Sequence, residues 1–485
     1  MKRTILALLC ALALLPLGAE PTSYKGLHRF KLDNGLELFV YQDRAVPLAR
    51  IEMAFRGGAM GQSAETAGWF HLLEHLVFRG HGGPGASAEL RAELARIGAA
   101  EWNGATGAET SSYWLRLPAD KTAQGLRFWA ERFARGAAAP EAEALAAEKA
   151  VVAAELQARE ADPDLVYEAA MTRRLFAKFP WRRDAAGSEK SVGAATVEGL
   201  QKLAATYLVP NNAALFVGGD VDPEEVFEET KKLFGSWKAG EDPWKQPLPA
   251  HPKLGVARPT WIAYPDPSLP EGIALVEARY RAPDLKTDPA ASYAADLWTA
   301  LVADPEGRFK KAVTKEVPKL YGKDAVSAYY LSQREGGILS ISAYFAVDPA
   351  LPAVDRARQF KERVRGYEIT SMKTEPGYFS DKDVEAARRR LLDARLLSLE
   401  TADGLVESLA FWWGAASADY FLGYAATLSS TGTREVLAFL DAYVMKNLEV
   451  VGLRMNPADY EREKKTFQDS GFEVIGPANA FWWRR

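Results

Sequence analysis

Five histidines occur in 485 residues, and two of them, His71 and His75, stand four apart with Glu74 between them. On an α-helix each residue advances about 100°, which puts Glu74 at about 300° and His75 at about 40° relative to His71. All three then project from one face. Two imidazoles one turn apart can hold a single zinc ion, and a carboxylate beside them can reach a water on that ion. Leu72, Leu73, Leu76 and Val77 take the other faces and anchor the helix. The carboxylate directly precedes the second histidine, the inverted order of the common zincin motif. The bland alternative is a histidine pair satisfied by hydrogen bonds on a half-buried helix. The scarcity of histidine weighs against it.

A catalytic zinc site needs a third protein ligand and an open fourth position. Cys10 is the one cysteine, so a thiolate-built metal site and intrachain disulfides are both excluded. His28, His81 and His251 are candidates, but none falls on an expected element near the motif helix. A carboxylate is the other option. Glu148 and Glu155 stand two turns apart on a long helix expected after Pro140, hence on one face. Apart from Lys149 the residues between them are apolar, and a buried carboxylate without a partner is costly. A zinc ion would be such a partner; a solvated surface glutamate is the ordinary alternative.

Several elements must position these residues. A hairpin is expected over 28–41 around Asp33-Asn34-Gly35, because Asn and Gly tolerate positive φ. A strand over 48–55 leads into the motif helix over 68–78. A glycine-rich loop follows at 80–85, and Ser87 is expected to cap the next helix. Further strands fit 110–117 and 213–218, with helices over 196–207 and 222–234. Residues 241–259 hold five prolines and read as a semi-rigid linker. Beyond it the pattern restarts, with strands at 261–264, 272–280, 325–330 and 337–345 and helices at 289–302, 381–397 and 433–446. The fold class is α+β, in two units of similar plan: residues 22–240 bearing the metal motif and 260–485 without it.

Composition narrows the function classes. Hydrophobic residues make up 48% and charged residues 26%, which excludes wholesale disorder. Lys plus Arg is 60 and Asp plus Glu 64, a formal charge of −4 with no basic run, so nucleic acid is not an expected partner. Residues 1–19 have the layout of a secretory signal peptide: Lys2 and Arg3, an apolar stretch, then Leu17-Gly18-Ala19. An uncleaved anchor is the alternative. No later stretch reaches the roughly 18 apolar residues of a membrane span, so a mature protein in the periplasm is expected.

At these residues the chain resembles the pitrilysin/insulinase-like zinc metallopeptidases, which include pitrilysin, insulysin and the mitochondrial processing peptidases. The resemblance is strongest over residues 31–237. LDNGLELFVYQD is similar to the family's opening hairpin, and FRGGAMGQSAETAGWFHLLEHLVFRG to its strand and inverted zinc helix. RIGAAEWNGATGAETSSYWLRLP resembles the strand region that follows. EKAVVAAELQARE resembles the helix bearing the third ligand, and YLVPNNAALFVGGDVDPEEV the closing strand and helix. The resemblance implies one zinc ion per chain, held by His71, His75 and Glu155. It makes Glu74 the general base that activates the zinc-bound water and places Glu148 behind the site. It also implies two homologous domains, each a mainly antiparallel sheet packed with helices. Two departures stand out. HGGPGASAE lengthens the path from His75 to Glu155. Where relatives read Asn-Ala, this chain has Asn103-Gly104, which would lie on a substrate-pairing edge strand.

The family's active centre also uses an arginine–tyrosine pair from a second-half domain. The corresponding stretch, FKKAVTKEVPKLYGKDAVSAYY, offers Tyr321, Tyr329 and Tyr330 but no arginine between Arg308 and Tyr330. The expectation is therefore an exported zinc endopeptidase acting on unfolded or extended polypeptides. It would pair with a homologous subunit that supplies the arginine and tyrosine, or with a second copy of itself. The competing expectation is a noncatalytic peptide-binding or assembly subunit.

Overall fold

The computed structural model describes residues 24–79, 86–134, 142–252, 260–317 and 320–484. The expected leader, the glycine-rich loop at 80–85, His81, Pro140 and the end of the proline-rich segment lie outside the described residues.

The described residues build two six-stranded sheets. The first comprises β1 Leu27–Lys31, β2 Glu37–Gln42, β3 Leu48–Arg56, β4 Glu101–Thr106, β5 Thr110–Pro118 and β6 Ala213–Gly219. Its order is β1-β2-β6-β3-β5-β4. The second comprises β7 Thr260–Pro265, β8 Ile273–Ala282, β9 Val326–Leu331, β10 Gly337–Ala346, β11 Glu449–Met455 and β12 Glu473–Val474, in the order β12-β7-β11-β8-β10-β9. Pairing is antiparallel except for β2 with β6 and β7 with β11 and β12. The first hairpin turns at Gly35, whose φ is 93°. Asn34 there accepts from the Leu36 amide and donates to the carbonyls of Phe234 and Trp237 at 2.8 and 2.9 Å, which ties the turn to the end of a later helix.

Each sheet lays one face on helices of its own half and the other on a helix from the opposite half. Helix Pro163–Leu175, from the first half, packs on β8 and β11 of the second sheet. Its Val166, Tyr167, Ala170 and Met171 share a core with Ile262, Tyr264 and Val450. Helix Ala402–Ala415, from the second half, packs on β3 and β6 of the first sheet. There Leu405, Val406, Leu409 and Trp413 meet Phe39, Ala54 and Phe216. Glycines allow both approaches. A Cβ at Gly218 would lie 2.4 Å from Val406, and one at Gly452 would lie 2.1 Å from the Tyr167 hydroxyl.

A buried ion pair recurs at both docking points. Arg50 and Glu52 on β3 pair at 2.7 Å, and Asp403 of the incoming helix sits 3.4 Å from the same guanidinium. Arg279 and Glu277 on β8 pair at 2.8 Å, and Glu168 of the other incoming helix lies at 2.8 Å. The halves thus repeat one plan, down to a charged clamp that residue identity alone does not reveal.

Two expected boundaries need correction. The helix after the glycine-rich loop begins at Ala86, so Ser87 lies inside its first turn and not ahead of it. The helix expected over 433–446 is α-helical only over Thr433–Phe439 and continues as a π-helix over Leu440–Met445.

Candidate metal centre

The motif helix spans Trp69–Arg79, and the helix carrying the two glutamates spans Ala142–Ala161. Their apolar faces meet: Phe70, Leu72 and Leu73 share a core with Leu145, Val152 and Leu156. Burying these faces turns His71 and His75 toward Glu148 and Glu155, so the periodicity that makes each helix amphipathic also aims the polar groups.

The Nε2 atoms of His71 and His75 lie 3.3 Å apart. Oε2 of Glu155 is 3.7 Å from the first and 3.5 Å from the second. These three residues offer one donor atom each, all within 4.8 Å of one another. Zinc–nitrogen and zinc–oxygen bonds of about 2.1 Å in a tetrahedron give donor–donor edges of about 3.4 Å. The observed triangle matches that edge length, and its nitrogen and carboxylate donors suit zinc. Glu155 keeps 46% of its side-chain exposure, so the fourth side opens to water.

Groups behind the triangle orient it. Oε2 of Glu148 lies 3.1 Å from Nδ1 of His75. Nδ1 of His71 is buried with no hydrogen-bond partner among the described residues. Burial, the neighbouring His75 and Arg159 push His71 down to about 4, so this imidazole is neutral and keeps a lone pair to donate. For His75, burial acts downward, but the bond to Glu148 and the charges of Glu155, Glu148 and Glu74 outweigh it and raise the ring.

Glu74 takes no part in the triangle. Its Oε2 accepts a 2.5 Å hydrogen bond from Thr106 at the end of β4. Burial raises its carboxyl, with the Thr106 bond opposing. β4 is the outer strand of its sheet and carries Asn103 and Gly104. Gly104 faces the motif helix so closely that a Cβ would fall 2.8 Å from Cγ of Glu74 and 2.7 Å from Phe78. Asn103 is exposed on the same strand. Thr106 is the site residue that motif spacing did not suggest. A hydroxyl in a run of small residues carries no signal until strand pairing lays it over Glu74.

The other histidines go elsewhere. His28 stacks on Phe30 in β1, and Nδ1 of His251 lies 2.7 Å from the Lys178 carbonyl. In the second half the Tyr330 hydroxyl is bound to the Pro283 carbonyl and Ser292 at 2.9 Å each. Tyr321 and Tyr329 are exposed. Arg308 pairs with Glu375 and lies over the Tyr378 ring. Arg356, buried in the second half, interacts electrostatically with Tyr321.

Comparison with known proteins agrees with this architecture. Residues 38–188 match the model "Insulinase (Peptidase family M16)", and residues 194–391 match "Peptidase M16 inactive domain". An uncharacterized zinc protease of Rickettsia felis is 27% identical over 212 residues, covering 44% of this chain and 50% of that protein. The chain thus spans about half the length of the first curated relatives it matches. A probable mitochondrial-processing peptidase subunit beta from Arabidopsis thaliana is 22% identical over 379 residues, 78% of this chain and 68% of that one. In fold, the first half of the periplasmic protease PqqL from Escherichia coli superposes with a TM-score of 0.71 at 16% identity, covering 94% of this chain and 95% of that one. A protease from Helicobacter pylori gives 0.69 at 18% identity, covering 88% and 99%. Two consecutive family models over residues 38–188 and 194–391, with a shared fold along most of the chain, place it in the pitrilysin/insulinase-like peptidase family.

Proposed function

We propose that the chain is an exported zinc endopeptidase that hydrolyses peptide bonds in unfolded or extended polypeptides. The observation that carries this reading is the triangle of His71, His75 and Glu155 donors with Glu74 beside it and outside it. His71, His75 and Glu155 would hold one zinc ion, which supplies Lewis acidity toward water and toward a carbonyl oxygen. Thr106 holds Oε2 of Glu74, which leaves Oε1 to take a proton from the attacking water and return it to the leaving amine. Glu148 fixes the ring of His75. A substrate would add to the outer edge of β4 as an extended strand, with main-chain hydrogen bonds beside Asn103 and Gly104. The small residue at 104 keeps the strand close to Glu74. The apolar leader and the periplasmic protease among the fold neighbours support a periplasmic location.

A second reading, a noncatalytic peptide-binding subunit, draws on the second half. Arg308 there is spent on Glu375 and Tyr330 on Pro283 and Ser292, and its matching family model is described as inactive. Zinc analysis with hydrolysis of an unfolded polypeptide separates the two. The expected result is one zinc per chain and cleavage that stops on chelation. Glu74→Gln is expected to keep the zinc and lose at least about 10²-fold in rate. A zinc-free protein after refolding with zinc, or a Glu74→Gln variant with wild-type turnover, overturns the peptidase reading.

A further inference from the structure

The two halves and the linker line an open cleft of about 190 Å³ that shares no residue with the metal centre. Arg56, at the end of β3, and Glu109, in the β4–β5 turn, come from the first half. Lys286 and the Arg334-Glu335 turn come from the second, and Trp244 from the proline-rich segment lines it. The charges do not balance. Glu335 is committed to Lys286 at 2.5 Å. Glu109 accepts from the Glu335 amide at 3.1 Å, and burial holds its carboxyl up to about 7, so it is only partly ionised at neutral pH.

Two guanidiniums remain. Arg56 lies 4.0 Å over the Trp413 ring and donates to the Trp413 carbonyl at 3.0 Å, while its Nε is buried without a hydrogen-bond partner among the described residues. Arg334 makes no side-chain hydrogen bond or ion pair among the described residues. Burial and then the charge of Arg334 depress Arg56 to about 10, with Glu37 and Asp242 opposing, so the two cations repel each other across the cleft while Glu109 attracts Arg334.

We propose that this cleft binds an oxyanion, a carboxylate or phosphate group, between the guanidiniums of Arg56 and Arg334. The planar forks of arginine match the paired oxygens of such groups, and the half-buried Trp244 and Leu248 lower the local dielectric along one side. One guanidinium comes from each half, so a bound oxyanion ties the halves together at the seam. The chemistry is shared by two sources, a free small anion and a carboxylate on a polypeptide segment. The site stands whether or not the chain is a peptidase.

The test titrates the full mature protein at fixed ionic strength in chloride, by calorimetry, with inorganic phosphate in one arm and a short peptide rich in aspartate and glutamate in the other. Saturable binding at one site per chain is expected from at least one probe, with a rise in melting temperature. The tighter probe identifies the source. Arg334→Gln is expected to weaken that binding at least tenfold. It is preferred to a change at Arg56, which also braces Trp413 and whose loss could unfold the seam. Glu109→Gln, which removes the opposing charge, is expected to bind the same probe at least as tightly as wild type. Absence of saturable binding by both probes, or wild-type affinity in a folded Arg334→Gln variant, overturns the proposal.

Discussion

Two imidazole nitrogens 3.3 Å apart cannot both carry a proton aimed at the other, and a carboxylate oxygen completes their triangle at 3.5 and 3.7 Å. The arrangement is stable if something turns both lone pairs inward. For His75 that is Glu148, whose carboxylate holds the proton on Nδ1 and leaves Nε2 bare. Glu148→Ala is therefore expected to lower zinc affinity by about 10- to 100-fold, read by competition with a chelator, while Glu148→Gln, which still offers an oxygen, recovers most of it. Equal affinity in wild type and the alanine variant would remove Glu148 from any orienting role. Helical arithmetic was enough to group His71, Glu74 and His75, and to put Glu148 and Glu155 on one face. It could not say which of the remaining candidates approaches the pair. That depends on the packing of Leu72 and Leu73 against Val152 and Leu156, a contact across some eighty residues of sequence. Thr106 was invisible for the same reason: its role exists only once β4 lies beside the motif helix.

At the scale of elements, the strands bounded by clear turns were legible, and those at the heart of the second sheet were less so. β11 reads EVVGLRM, a short apolar run broken by Gly452, with no alternation because both of its faces are buried. The glycine that obscures it is there for the helix from the other half, since a side chain at 452 would collide with Tyr167 and Met171. Helix Ala402–Ala415 hides similarly. Its sequence is apolar on several sides because it is wedged between the first sheet and helices of its own half. No local pattern announces that a helix will dock on a sheet 180 or more residues away. Gly452→Ala tests how tightly the exchanged helix fits. The added methyl must displace a buried hydroxyl 2.1 Å away, and overpacking of this kind costs about 1–3 kcal/mol. A lowered denaturation midpoint with unchanged zinc content is the expected outcome. A neutral change would mean that the helix rides loosely on the sheet.

The whole molecule has a stability that depends on pH through a group far from the metal centre. Asp296, half-buried in the second half, accepts from the Tyr424 hydroxyl at 2.9 Å, and desolvation of its carboxyl raises it to about 7. The folded state therefore binds this proton more tightly than the unfolded chain, whose aspartates titrate near about 3.9. The contribution is full below about pH 4 and is lost as pH rises to about 7, amounting to as much as about 4 kcal/mol. Asp296→Asn should gain on wild type over that interval and run parallel to it above pH 7, in denaturant titrations across the range. The second whole-molecule prediction concerns completeness. β4 in the first sheet and β9 in the second are outer strands, each paired along one edge and open along the other, and among the described residues only β4 lies beside a metal triangle. On β9 and its approach Tyr321 and Tyr329 stand exposed, the charge of Tyr321 bearing on Arg356, while Arg308 is spent on Glu375. On the peptidase reading proposed above, an arginine and a tyrosine that hold the oxyanion developing at the scissile carbonyl are expected from a homologous polypeptide closing over the metal face, or from a second copy of this chain, and loss of one such donor costs about 10²–10³-fold in rate. Turnover of an unfolded substrate should rise by at least about 10²-fold when the homologue is added, with the new species seen by light scattering. High turnover from a monomer, unchanged by the homologue, would place the whole active centre within this one chain.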